Sequence, residues 1–218
     1  MKMLFLRLQQ NELSGILPSS IGGLVNLQRL SMANNMIGGP IPASWGELSK
    51  LTELYLNDNR LSGSIPESIG KLSNLLSLFL SHNNLSGSLP QELSEISNLQ
   101  ILDISFNNFK FVSVLTVVSK LPGLYELFLA GCGIKGIIPE WLSTMPGRLS
   151  LLDLSSNSLT GTLAPWLGSM TELDTLNLSN NALTSSIPDE IRNLQDLTTL
   201  DLHSNQLTER KPVPIKPS

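Results

Sequence analysis

Leucine and isoleucine recur along the chain in a fixed frame of apolar and polar positions. One copy of the frame reads Leu51, Leu54, Leu56, Asn59 and Leu61, and the same spacing returns 24 residues later. Leucines two residues apart point to the same side of a short β-strand. The pattern therefore predicts one short strand in each copy, with a polar residue where the strand ends.

The asparagine of this frame marks nine copies of one repeat. Successive copies are 24 residues apart, except for two steps of 25 residues on either side of the sixth copy, where cysteine replaces asparagine. Because the copies fill nearly the whole chain, they predict a solenoid whose stacked parallel strands share one leucine core that no single copy could build. The nine positions, called here the repeat asparagines, are Asn11, Asn35, Asn59, Asn83, Asn107, Cys132, Asn157, Asn181 and Asn205.

The residues after each strand predict a tight change of direction. A buried asparagine at the end of a strand can bond the backbone groups that the turn leaves unpaired. The sequence Gly-x-Ile-Pro follows, as at residues 63–66, where glycine allows a close backbone approach and proline fixes φ. The segment after the proline, such as residues 67–72, is typical of a turn or a short helix on the convex side.

The complete frame, Leu-x-x-Leu-x-Leu-x-x-Asn-x-Leu-x-Gly-x-Ile-Pro, resembles the plant-type leucine-rich repeat. That repeat is found in the ectodomains of receptor-like kinases and receptor-like proteins and in polygalacturonase-inhibiting proteins. The resemblance covers about residues 3–208. It implies an α/β solenoid, a right-handed superhelix with a parallel concave β-sheet made of about nine 24-residue repeats. It also implies binding of a peptide, a small hormone or another protein, since the fold serves many ligands.

The two ends of the chain depart from the family pattern, which usually includes cysteine-paired caps. We expect one solenoid over residues 1–208 without such caps, followed by a Pro-rich basic tail over residues 209–218. Two explanations are open. The chain is a piece of a longer product that also has a signal peptide, a membrane span and a kinase, or it is a complete short protein whose bare ends pair with a partner or with each other.

The fifth repeat lacks Gly-x-Ile-Pro and is irregular. In its place the chain runs through a β-branched segment, and we expect a short helix near residues 112–119. We interpret this segment as a structural variant of the repeat that the fold tolerates, rather than as an interaction site.

Composition and charge exclude several classes of protein. Only 15% of the residues are charged and the net charge is −4, which argues against nucleic acid as a partner. No apolar run reaches the roughly 18 residues that a membrane span needs, and the N-terminal apolar run is too short for a signal peptide. The single cysteine excludes an internal disulfide bond.

Candidate catalytic and cofactor motifs fit the repeat better than any chemistry. Residues 131–136 match Gly-x-Gly-x-x-Gly, but Ile-Ile-Pro follows at once where a dinucleotide site needs a helix. Cys132 stands at a repeat-asparagine position, two and three repeats from His82 and His203, so that no Cys–His pair can form. We therefore expect a non-catalytic protein with no cofactor and no metal.

Candidate binding residues lie between the core leucines, where side chains face the concave side. Tyr55, Phe79 and Phe128 occupy the same position in three repeats, and rigid aromatic side chains are favoured at the centres of interfaces. The alternative is that these positions cover a polar face without any ligand. The predicted partner-binding residues are Glu53, Tyr55, Asp58, Phe79, His82, Phe106, Glu126 and Phe128.

Charge and acceptor sequons add weaker indications. Residues 111–208 have a net charge of −5, against −1 for residues 1–110, which favours a basic or neutral partner. Asp103, Asp153 and Asp201 occur in ordinary Leu-Asp-(Leu or Ile) contexts and are too far apart to share a metal ion. The two Asn-x-Ser sequons make Asn84 and Asn177 possible glycosylation sites if the protein is secreted.

These observations favour a recognition scaffold that binds a peptide or protein partner, with or without a co-receptor, on its concave face. The resemblance implies a receptor-like kinase or receptor-like protein ectodomain in signalling or defence, and an extracellular or cell-surface location if the chain is part of a longer receptor. One alternative is a secreted inhibitor of a cell-wall-degrading enzyme, similar to polygalacturonase-inhibiting proteins. Another is a structural adaptor that docks or self-associates through its uncapped ends.

Overall fold

The concave side of the molecule is one parallel sheet with a strand from each repeat. A computed structural model describes residues 2–110, 117–145 and 149–209. Its nine strands are β1 (Phe5–Arg7), β3 (Arg29–Ser31), β5 (Glu53–Tyr55), β7 (Ser77–Phe79), β9 (Ile101–Asp103), β11 (Glu126–Phe128), β13 (Leu151–Asp153), β15 (Thr175–Asn177) and β17 (Thr199–Asp201). They pair in this order, so neighbours in the sheet are successive repeats. The predicted leucine-rich-repeat solenoid with a parallel concave sheet is confirmed.

A second set of short strands, which the sequence pattern did not predict, follows the repeat asparagines. These strands form a five-stranded parallel sheet and a four-stranded one. The first comprises β2 (Ser14–Ile16), β4 (Met36–Gly39), β6 (Arg60–Gly63), β8 (Asn84–Gly87) and β10 (Asn108–Phe109). The second comprises β12 (Lys135–Gly136), β14 (Ser158–Thr162), β16 (Ala182–Ser185) and β18 (Gln206–Leu207). We call these two sheets the flanking sheets.

The convex side carries seven single turns of 3₁₀-helix among the described residues. Six of them begin directly after a proline, which holds an extended conformation before the turn, and the seventh begins at Pro165. They span Ser19–Gly23, Ala43–Glu47, Glu67–Lys71, Gln91–Glu95, Glu140–Thr144, Pro165–Ser169 and Asp189–Asn193. The helix expected near residues 112–119 falls mainly on residues 111–116, which lie outside the described part, while Val117 and Val118 are helical and buried.

The core between the concave and convex sides is a single apolar cluster that runs the length of the solenoid. Leu54 is fully buried and lies level with Leu30 and Leu78 of the neighbouring strands. Burial weakens in the first coil, where Leu13 is 39% exposed, whereas Leu61 in the third coil is 0% exposed. Self-association through the uncapped ends of the solenoid remains a prediction.

The repeat asparagines join successive coils, as expected from their position. Asn83 Nδ2 donates hydrogen bonds to the carbonyl oxygens of Leu56, Leu80 and Ser81 at 3.0, 3.0 and 3.1 Å. Its Oδ1 accepts the backbone N–H of Leu61 at 2.9 Å. Each inner asparagine thus satisfies backbone groups both of its own coil and of the preceding one.

The predicted domain boundary at residue 208 remains a prediction, because residues 210–218 of the predicted tail lie outside the described part. No helix among the described residues has the length and apolar composition that crossing a bilayer requires.

Candidate functional site

The centre of the concave face carries a pair of stacked aromatic rings. Parallel pairing places Tyr55 of β5 level with Phe79 of β7, and their ring centroids are 4.9 Å apart with an interplanar angle of 9°. The sequence alone suggested that both side chains are exposed. In the structure both are half-buried, because each ring covers part of the other. The pair presents a flat apolar surface, called here the aromatic stack.

A hydrogen-bonded acid on the same strand fixes the orientation of the aromatic stack. Tyr55 Oη donates to Glu53 Oε2 at 2.6 Å, and Arg29 Nη2 donates to Glu53 Oε1. Burial alone would raise the pKa of Glu53, but the bonds from Arg29 and Tyr55 outweigh it and lower this pKa below its usual range. Glu53 is therefore ionised at neutral pH and holds the Tyr55 hydroxyl in place.

A second ring pair lies at the edge of the concave face. His82 and Phe106 stack with ring centroids 4.3 Å apart and an interplanar angle of 18°, and Phe106 is 40% exposed. A Cβ atom at residue 131 would clash with the Phe106 ring, because the phenyl ring lies directly over the backbone of Gly131. We call His82 and Phe106 the edge pair.

The edge pair occupies a backbone position that is left-handed in every repeat. The residue directly before the repeat asparagine has φ between 51° and 59° in all nine coils, including His82 and Phe106. This conformation is uncommon for bulky side chains and directs them outward at the end of the strand. The left-handed conformation could not be predicted, because the residue types at this position range from glycine to phenylalanine.

The remaining predicted residues do not join the aromatic stack. Phe128 lies level with Asp103 on one side and Asp153 on the other, so an aspartate separates it from Phe79. Glu126 pairs in register with Ile101 and Leu151. Asp58 accepts a hydrogen bond from the side chain of Asn57 at 2.7 Å, next to the edge pair. The structure thus joins Glu53 to the aromatic stack and pairs His82 with Phe106, whereas Asp58, Glu126 and Phe128 belong to neither group.

Sequence reasoning missed a basic hollow beside the aromatic stack. The hollow has a volume of about 220 Å³ and is lined by Arg7, Gln9, Arg29, Ser31 and Tyr55. The Arg7 guanidinium carbon lies 5.6 Å above the Phe5 ring centroid. The alternating pattern of β1 and β3 could have identified three of them, since Arg29 occupies the strand position of Glu53, and Arg7 and Ser31 occupy that of Tyr55.

The two sequon asparagines differ in accessibility. Asn84 is exposed at the start of β8 in a flanking sheet. Asn177 is half-buried on the concave face: its Oδ1 accepts the hydroxyl of Ser179 at 2.7 Å and its Nδ2 donates to Asp153 at 3.3 Å. Glycosylation of either residue remains a prediction, with Asn84 the more accessible acceptor.

The candidate catalytic, cofactor and metal-binding residues lie in the repeat framework of the solenoid. Cys132 is buried, and burial raises the pKa of its thiol to about 12. The glycines at residues 131–136 lead into β12, and the next helical turn begins only at Glu140. Among the described residues, no three His, Cys, Asp or Glu side chains come together in a group that could hold a metal ion.

The burial of Cys132 makes its reactivity a test of the core. In the native protein at about pH 8, the thiol is neutral and shielded, so we expect iodoacetamide to leave it unmodified for hours. In denaturant, mass spectrometry should show complete alkylation within minutes. Rapid alkylation of the native protein would contradict the packing around the sixth coil.

Comparisons with known proteins agree with this architecture. A family model described as "Leucine-rich repeat region" matches residues 1–185, and one described as "Leucine Rich Repeat" matches residues 196–217. A search of curated protein sequences finds no match.

Solved structures with the same fold include plant receptors. The Arabidopsis receptor kinase HAESA, in complex with the peptide hormone IDA and the co-receptor SERK1, is 35% identical with a TM-score of 0.79, over 94% of this chain and 34% of that one. The plant peptide hormone receptor RGFR1, in complex with RGF2, is 32% identical with a TM-score of 0.74, over 94% of this chain and 36% of that one. The chain thus spans about a third of the length of these receptor structures.

A plant ice-binding protein is also similar to the chain. It is 27% identical with a TM-score of 0.76, over 98% of this chain and 67% of that one.

Proposed function

Because the chain belongs to the leucine-rich-repeat family, we propose that it is a non-catalytic recognition scaffold that binds a peptide or protein partner on its concave face. The observation that carries this proposal is the aromatic stack of Tyr55 and Phe79, which Glu53 and Arg29 hold in one orientation before any ligand arrives. A preorganised apolar surface loses little conformational freedom on binding, which favours affinity.

The comparisons support a peptide as the ligand class. HAESA and RGFR1 are named as receptors of peptide ligands, and the HAESA complex also contains a co-receptor. By similarity, we propose that this chain acts as part of a receptor ectodomain, on the extracellular side of a membrane, with a co-receptor as a second partner. In this role Tyr55 and Phe79 contact apolar side chains of the peptide, and the edge pair of His82 and Phe106 limits the site on one side.

Selection from a library of linear peptides tests the proposed face. Peptides that bind the wild-type chain are selected first, and their affinities are then measured for the double variant Tyr55→Ala with Phe79→Ala. We expect a loss of at least about 100-fold, because truncation of central aromatic residues removes most of the binding free energy of an interface. The thermal midpoint should change little, since both side chains lie at the surface of the sheet.

A matched double variant provides the control. Ile16 and Ile137 are large apolar residues of the same molecule, 74% and 67% exposed, and lie away from the concave sheet. Replacing both with alanine should leave peptide affinity within about two-fold of wild type. Unchanged affinity in the Tyr55 and Phe79 variant, or an equal loss in the control, would reject the concave face as the binding site.

A further inference from the structure

Basic and acidic side chains occupy different parts of the concave sheet along its length. The first two strands, β1 and β3, carry Arg7 and Arg29. The other seven strands of the concave sheet, the odd-numbered ones from β5 to β17, contain no lysine or arginine in the described part of the chain. Acidic residues instead occupy the far half of the sheet, at Asp103, Glu126, Asp153 and Asp201.

Internal pairing only partly neutralises these charges. Arg29 forms an ion pair with Glu53, whereas Arg7 has no ion pair among the described residues. Asp201 pairs with His203 at 2.6 Å. Asp103 forms no ion pair among the described residues, and its Oδ1 accepts the backbone N–H of Ser105. The sheet therefore has a basic end and an acidic half, with the aromatic stack between them.

From this arrangement we propose that the concave face binds an extended peptide whose charges are segregated, and that it fixes the direction of that peptide. The acidic end of the ligand lies in the hollow at Arg7 and Arg29, its apolar middle on Tyr55 and Phe79, and its basic end over Asp103 and Asp153. This inference rests on the proposed function and adds the chemistry and orientation of the ligand.

The length of the face sets the length of the ligand. Six inter-strand steps separate β1 from β13, which amounts to about 29 Å at roughly 4.8 Å per step. An extended chain covers this distance with about nine residues, at roughly 3.3 Å each. The reversed ligand would place like charges together at both ends, so charge selects one direction.

Two synthetic peptides of about twelve residues and identical composition test the inference. In the segregated peptide, glutamates lie at one end, tyrosine and proline in the middle and lysines at the other end; in the mixed peptide, the charges alternate. Both have blocked termini. At about 20 mM salt we expect the segregated peptide to bind about ten-fold more tightly, and at about 0.5 M salt the advantage should fall below about two-fold, because salt screens exposed charges. Equal affinity at low salt, or no measurable binding of the segregated peptide, would overturn the inference.

Variants of the acidic half locate the effect. Asp103→Asn with Asp153→Asn keeps the oxygen that accepts each backbone N–H and gives up only the 3.3 Å hydrogen bond that Asp153 accepts from Asn177, so the fold should be retained. We expect this variant to lose most of the preference for the segregated peptide. A third peptide, with glutamines in place of the lysines, should bind the variant and the wild type with the same affinity. Glu140→Gln with Glu172→Gln removes the same charge outside the concave sheet and should change neither affinity. A preference that survives in the Asp103 and Asp153 variant contradicts the inference.

Photo-crosslinking reads the direction of the ligand directly. A benzophenone at the lysine end of the segregated peptide should crosslink to residues 101–209, and one at the glutamate end to residues 2–40. The reverse pattern overturns the proposed orientation. If the two peptides bind equally, yet both lose affinity with Tyr55→Ala and Phe79→Ala, the recognition face stands and the inference about charge fails.

Discussion

Replacing Leu54 with alanine is expected to lower the free energy of unfolding by about 2–5 kcal/mol. Leu54 is fully buried and packs between coils, level with Leu30 and Leu78, so truncation leaves a cavity that neighbouring coils cannot fill without moving. In a solenoid each coil contacts only its neighbours, and the loss therefore weakens two interfaces at once. Denaturant unfolding followed by circular dichroism measures the change.

Leu76→Ala is the matched control for this variant. Leu76 belongs to the adjacent coil and is 36% exposed, so the same truncation should cost less than about 1 kcal/mol. An equal loss of unfolding free energy in the two variants would contradict the conclusion that Leu54 is a core residue and Leu76 is not.

Replacing Asn83 with alanine is expected to cost roughly 2–5 kcal/mol as well, through lost hydrogen bonds rather than lost packing. Asn83 is buried and bonds three carbonyl oxygens and the backbone N–H of Leu61. Without the amide, the buried N–H of Leu61 has no partner, at about 1–3 kcal/mol. The three carbonyl oxygens each keep one other donor, so their lost bonds add only about 0.5–1.5 kcal/mol each. Equilibrium unfolding in urea measures the loss.

Asn11 supplies the comparison for Asn83, because it occupies the same position in the first coil. Its side chain is exposed and donates only to the carbonyl oxygens of Leu8 and Gln9 within its own coil. We expect Asn11→Ala to cost less than about 1 kcal/mol, since water replaces the lost bonds. A small effect at both positions would contradict the role given to the repeat asparagines.

The repeat frame predicted the concave sheet because each strand carries buried leucines at alternating positions. Leu54 and Leu56 are both fully buried, and the asparagine that follows them bonds the turn as its chemistry suggested. Exact repetition then placed every strand beside the next one. These features depend only on local pattern and on the repeat period, which the sequence contains in full.

The flanking sheets could not be predicted in the same way. Their strands pair residues 22 or 23 positions apart, such as Gly15 with Ile37, rather than residues one repeat apart. In or next to each strand, only the position two residues after the repeat asparagine is consistently apolar, so no alternation distinguishes a strand from a loop. Glycines with positive φ, such as Gly63 and Gly87, permit this backbone path, which sequence pattern alone does not specify.

The candidate site was only partly predictable. The alternation rule placed Tyr55 and Phe79 on the concave face, and it also places Glu53 on the same face two residues before Tyr55. The half-burial of the rings depends on contacts between neighbouring coils, and the edge pair depends on a left-handed backbone that residue types such as those of His82 and Phe106 do not indicate.

NMR of the two tyrosines tests the central claim most directly. The chain contains only Tyr55, in the aromatic stack, and Tyr125, which is 48% exposed just before β11 and three coils away from Tyr55. In protein labelled with ¹³C-tyrosine, saturation with a peptide selected from the library should shift the ring signals of Tyr55 and leave those of Tyr125 unchanged. Binding that shifts only Tyr125, or that shifts neither tyrosine, would contradict recognition on the concave face.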